Sequence, residues 1–214
     1  MLAAAPSRKR RKEARPSELS AAALSLFVEK GFSATRLEDV ASRAGVSKGT
    51  LYLYFDNKEA LFKAVIQEGI LPVVAENEAI AARHSGSSFE LLEKLLDNWW
   101  RKIGLTEFAG IPKLMVAEAR NFPEVARFYY ENVICRGRAL VGAALERGMA
   151  AGEFRRMDVE TTIDVVIAPI LMRLIWRFSL GYCQNSESDS RLYLQIHVDI
   201  LRHGLRERVS ETQV

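Results

Sequence analysis

Cysteine is scarce: Cys135 and Cys183 are the only two in 214 residues. They lack the short paired spacing of a zinc site or a disulfide framework. A reducing, cytosolic setting fits this usage best, with a single bridge left open. Histidine is as rare. His84, His197 and His203 lie far apart or on different turns. No nucleophile and base pair with one another, so they read as structural or solvated, and no metal site is expected. Strand signals are nearly missing, with neither Asn-Gly nor Asp-Gly hairpin turns nor sustained alternation of apolar and polar residues. Long apolar runs are absent too. The most apolar stretch, Val165 to Leu180, is interrupted by Arg173 and Arg177, which excludes a membrane span. At the N-terminus the apolar residues precede the basic run Arg8-Lys-Arg-Arg-Lys12, the wrong order for an export signal, so a cytoplasmic protein is expected. No glycine-rich phosphate loop, metal cluster or catalytic triad is readable. An enzyme or carrier with a hydrophobic helical pocket is therefore the lesser reading, and no cofactor is expected.

What is present is helix. The composition, 49% apolar and 27% charged, is that of a globular chain. Residues 1–63 hold 12 Lys/Arg against 7 Asp/Glu, while the remaining 151 residues are slightly acidic. A basic first third suggests a polyanionic partner for that part alone. Residues 1–15 read as a disordered basic arm, able to track phosphates. A first helix is expected from Pro16-Ser17, with Leu19, Ala23, Leu24, Phe27 and Val28 on one face and Gly31 as its stop. Thr35-Arg-Leu-Glu38 reads as a capping box opening a short helix that Gly45 closes. Ser47 caps a third helix to Tyr54. Asp56-Asn-Lys-Glu59 opens a fourth, kinked by Pro72. Further helices are expected after Ser87, from Phe108 to Arg120, from Asn121 to near Gly152, after Asp158 to about Leu180, and from Ser188 to Arg208. The expectation is an all-α fold of about nine helices: a head over 16–63 and a larger body over 64–214.

Residues 35–54 carry the function. Two short capped helices joined by Ala44-Gly45-Val46 make a helix-turn-helix, whose second helix presents its polar start to a DNA major groove. Ser47, Lys48, Gly49 and Thr50 crowd that start. Tyr52 and Tyr54 offer hydroxyls to phosphates. Thr35 and Arg36, at the start of the second helix, and Lys58, at the start of the fourth, are further phosphate candidates. Leu53 either meets an apolar base edge such as a thymine methyl or packs the head.

The segment Gly31 to Phe62, and within it Ala44-Gly-Val-Ser-Lys-Gly-Thr-Leu-Tyr52, Tyr54-Phe55 and Lys58-Glu59, resembles the DNA-binding head of the TetR/AcrR family of transcriptional regulators. Ala117 to Tyr130 is similar to a recurring subgroup of the same family. The resemblance implies a homodimer on double-stranded operator DNA, palindromic in form, with a body that binds a small molecule. Its aromatic and aliphatic content suggests a largely apolar ligand, with Arg173 and Arg177 available to an acidic group. Trp99, Phe108, Met115, Phe128, Tyr129, Met172 and Trp176 are the candidate lining residues, against a plain core role for each. Val166, Ile170, Leu174, Ile196, Ile200 and Leu201, on the last two helices, are candidates for a four-helix dimer interface. Repression relieved by ligand is expected, since the body offers no evident surface for recruiting polymerase.

Overall fold

The computed structural model describes residues 8–183 and 189–206. Among them the fold is all helical, apart from one isolated antiparallel bridge between Phe154 and Arg206. The head comprises α1 (Arg8–Lys30), α2 (Leu37–Arg43), α3 (Lys48–Tyr52) and α4 (Lys58–Gly69). The body comprises α5 (Leu71–Arg83), α6 (Ser88–Trp99), α7 (Ile111–Glu118), α8 (Pro123–Tyr129), α9 (Cys135–Ala150), α10 (Val159–Ser179) and α11 (Ser190–Leu205). A π turn, Trp100–Gly104, extends α6, and another, Tyr130–Ile134, joins α8 to α9. A 3-10 turn, Glu107–Gly110, leads into α7.

Most caps act as the sequence dictates. Gly31 and Gly45 take φ of +87° and +65°, the left-handed region that a side chain resists, and so end α1 and α2. The Ser47, Ser87 and Asp158 side chains accept the backbone N–H groups of Thr50, Glu90 and Thr161. Several expectations need correction. α1 begins at Arg8 and carries Pro16 inside it, so the basic run 8–12 is helical rather than disordered, while residues 1–7 lie outside the described residues. Asn57, not Asp56, caps α4 by accepting from Ala60 N at 2.7 Å. Pro72 does not kink α4. It sits in the first turn of a separate helix, where its missing N–H is harmless. The end expected near Arg208 and the start at Ser188 fall on residues outside the described ones.

One core runs through head and body. Phe27, Phe32 and Phe62 form an aromatic triangle with centroids 5.2–5.7 Å apart, and all three are fully buried. Burying each contributes roughly 1.5–3 kcal/mol of hydrophobic stabilisation. The same cluster continues into Ile103, Ile111, Leu114, Val125 and Val133 of the body. The boundary expected after residue 63 therefore falls inside α4, whose Leu61, Phe62, Val65 and Ile66 share that core. A second core lies between α6, α9, α10 and α11, built on Leu92, Leu96, Trp100, Leu145, Ile163 and Leu194. No helix among the described residues is long and apolar enough to cross a membrane.

Candidate nucleic-acid interface

The turn between α2 and α3 is short because Gly45 permits it, and Val46 donates its N–H to Ala41 O, which folds α3 back on α2. Val40, Ala41 and Leu51 are buried between the two helices. This leaves the start of α3 outward. Ser47, Lys48 and Gly49 are exposed and Thr50 half-buried. The Ser47 hydroxyl lies 2.9 Å from that of Thr50 while it accepts the Thr50 N–H, so the two hydroxyls form a small preorganised polar edge. Nothing lies within 3.5 Å of a Cβ built on Gly49, whose bare backbone permits close approach by a partner. Lys48 Nζ lies 2.5 Å from Glu38 Oε1 and 5.7 Å from the centre of the Tyr52 ring. The pair lowers the Glu38 carboxyl and raises the Lys48 ammonium from their usual values, in each case chiefly through their mutual hydrogen bond. Both partners are widely exposed, so the pair holds Lys48 in place without locking it. Arg36 and Tyr52 are exposed beside it, while Tyr54 is half-buried and packed on the head's core.

Two expected contacts turn inward. Thr35 is 1% exposed. Its hydroxyl donates toward Gly31 O at 2.7 Å, with Leu26 O at 3.2 Å, tying the loop to the end of α1. The capping box does not form: Arg36 is the N-cap residue and no side chain caps α2. Glu38, expected to return the bond, is the partner of Lys48 instead. Lys58 is also spent within the chain. Its ammonium donates to the carbonyls of Phe32, Ser33 and Thr35 at 2.6, 3.0 and 3.1 Å. Burial pushes its pKa below the usual lysine value. Its three protons all have acceptors, which removes it from the phosphate candidates. Leu53 is 81% exposed, which rules out the packing role and leaves it on the outer surface after α3.

The expected ligand-lining residues do not converge on one cavity. Met115 and Tyr129 are buried in the core that head and body share, and desolvation raises the Tyr129 phenol far above its usual value. Trp99, Phe108 and Phe128 pack against the edge of that core. Met172 and Trp176 face outward, 57% and 43% exposed. Arg177 donates to Gly104 O, and Arg173 lies over the Tyr193 ring. The dimer candidates divide in two. Val166, Ile170, Leu174 and Leu201 are buried in the second core, so they hold α10 and α11 to their own chain. Ile196 and Ile200 are exposed, and sequence reasoning missed Val165 on α10 and Leu192 on α11, which are exposed as well. Also missed was the joint between head and body. Glu118 Oε2 accepts from the Ser33 hydroxyl at 2.8 Å and from Asn121 Nδ2 at 3.0 Å, while Oε1 accepts the Ser33 N–H. Only the flagged run from Ala117 to Tyr130 hinted at it.

Comparison with known proteins agrees with this geometry. Residues 19–65 match the family of bacterial regulatory proteins of the tetR type, and residues 90–201 match the C-terminal domain of AefR-like transcriptional repressors. The HTH-type transcriptional regulator YdeS of Bacillus subtilis is 30% identical over 77% of this chain and 80% of its own. The HTH-type transcriptional repressor KstR2 of Rhodococcus jostii is 28% identical, over 88% of this chain and 91% of its own. A transcriptional regulator from Saccharomonospora viridis, solved in complex with choline, superposes with a TM-score of 0.76 at 18% identity, covering 92% of this chain and 100% of that one. An outward α3 on a helix-turn-helix, a helical body continuous with it, and matches over both parts place this chain in the tetR family of transcriptional regulators, as a DNA-binding protein.

Proposed function

We propose that the chain is a homodimeric repressor that reads a palindromic operator with α3 and releases it when a small, largely apolar molecule binds the body. The observation that carries the reading is the exposed start of α3. Ser47, Lys48 and Gly49 stand clear of the core, on a helix fixed from behind by Leu51. Ser47, Lys48 and Thr50 supply base-edge contacts, and Arg36, Tyr52 and Tyr54 supply phosphate contacts. Two copies are needed because one short helix reads too few base pairs for specificity, and a two-fold axis repeats the half-site. The apolar stripe on α10 and α11 supplies that axis. Such a protein works where the chromosome is, in the cytoplasm.

Release follows from linkage. A ligand lowers DNA affinity only as far as it prefers the conformation that fits DNA poorly. Repression as the default agrees with the matching C-terminal domain, described as that of a repressor. The test is selection of bound duplexes from a random pool with the full chain, followed by affinity against salt. A two-fold consensus with a steep salt slope is expected. Weak, uniform binding with no consensus would overturn the reading.

A further inference from the structure

A cavity of about 430 Å³ opens where α1, α4 and the 3-10 turn Glu107–Gly110 meet, at the joint between head and body. We propose that it is an effector site for a small organic cation carrying an apolar group, such as an alkyl or aryl ammonium. Its effect on DNA rests on the repressor reading above; its binding chemistry does not.

The walls decide the ligand class. Leu24, Val65 and Phe108 give an apolar lining. Ser20 also lines the cavity; it is 5% exposed, and its buried hydroxyl oxygen has no hydrogen-bond partner. A buried hydroxyl left unmade is costly, and a polar group on a guest relieves that cost. The charged members of the lining are Glu68 and Glu107, both exposed, and none of the described lining residues is basic. Arg43 is a cation whose charge is felt at Glu107, but its guanidinium is paired in two-pronged fashion with Glu29 at 2.7 and 2.8 Å. Two carboxylates favour a positive guest, while the apolar walls favour a hydrocarbon body.

The position suits a switch. α1 and α4 carry the reading head, whereas Thr106, Glu107 and Phe108 belong to the body. Gly69 of α4 lies so close to the Phe108 ring that an added Cβ would collide with it. A guest that displaces Phe108 therefore acts on α4 directly, and through α4 on the tilt of α3.

The test is calorimetric titration of the full chain with 4-phenylbutylammonium, whose N–H groups can donate to the Ser20 hydroxyl, with 4-phenylbutyrate as the anionic counterpart. One cation per chain is expected, with no heat from the anion. The double variant Glu68→Gln, Glu107→Gln should weaken cation binding roughly three- to tenfold, less so at high salt. Ala21→Trp, at an exposed lining position, should abolish binding while the thermal midpoint stays at the wild-type value. Equal binding of the anion, no binding of the cation, or cation binding that survives Ala21→Trp overturns the proposal. A chain that selects an operator yet binds no cation refutes this site and keeps the repressor reading. A chain that binds the cation through these residues but selects no duplex keeps the site and refutes the repressor.

Discussion

The Lys58 ammonium donates to the Phe32 carbonyl at 2.6 Å and lies 4.6 Å above the centre of the Phe32 ring, so one cation fastens the turn after α1 from two sides. The Phe122 ring from the body closes over it at 5.6 Å. Lys58→Met keeps the stem packed and removes the ammonium, leaving three carbonyls to water. We expect a loss of about 1–3 kcal/mol in head stability. The slope of log affinity against log salt should stay unchanged, because no phosphate contact is lost. A slope reduced by about 1 would mean that Lys58 does meet a phosphate.

Lys48 behaves in the opposite way. It is exposed and paired with the equally exposed Glu38, so Lys48→Ala should leave stability nearly unchanged. Loss of a base contact should weaken the selected operator by about 1–3 kcal/mol and leave random DNA much less affected. Glu38→Gln should raise affinity for random DNA, since it frees the lysine and removes a negative charge from the DNA-facing side. Parallel binding curves on the selected and a scrambled duplex measure both effects.

The joint at Glu118 is sensitive to acid. Asn121, the Ser33 hydroxyl and the Ser33 N–H hold its carboxyl below the ordinary value of 4.5, with Lys58 adding charge. A folded pKa below the unfolded one means that its contribution is full above about 4.5 and is lost as pH falls through the lower, folded value. Thermal melts of wild type and Glu118→Gln should therefore differ at pH 7 and converge towards pH 3. Because the side chain is only half-buried and its hydrogen bonds lie within reach of water, the gap at pH 7 should stay below about 1 kcal/mol. Curves that stay parallel across the range would remove Glu118 from the acid response.

The local features were legible in the sequence because they are chemically local. A serine before a helix accepts the N–H three residues on whatever lies behind it, so Ser47 and Ser87 fall where expected. A glycine that must take positive φ is equally plain at Gly31 and Gly45. The direction of a polar side chain is not local. Thr35 and Lys58 have the composition of phosphate binders, but Phe32 and Phe122, far apart in the chain, hold the Lys58 ammonium on the inner side, and the Gly31 carbonyl holds the Thr35 hydroxyl there. The same limit applies to α10. It is apolar nearly all round, so no periodicity separates the face that packs inward from the face left outside. Val166 and Val165 look alike in sequence, but one is fully buried and the other 60% exposed.

That difference gives the clearest test of the dimer. Val165, Met172 and Trp176 form an outward stripe on α10, and Leu192, Ile196 and Ile200 recur every four residues on α11. Exposed apolar side chains this large, on two helices that share one core, fit the homodimer proposed above. Ile196→Glu with Ile200→Glu should give a monomer in sedimentation velocity, with the helical circular dichroism of the wild type, because neither side chain supports its own fold. Ile170→Glu should instead unfold the body, since a charge there would be buried without a partner at a site 4% exposed. In the monomeric variant, affinity for one half-site should survive while affinity for the full palindrome falls to that level. A double variant that remains dimeric would move the two-fold axis away from α10 and α11, and the stripe would then need another partner.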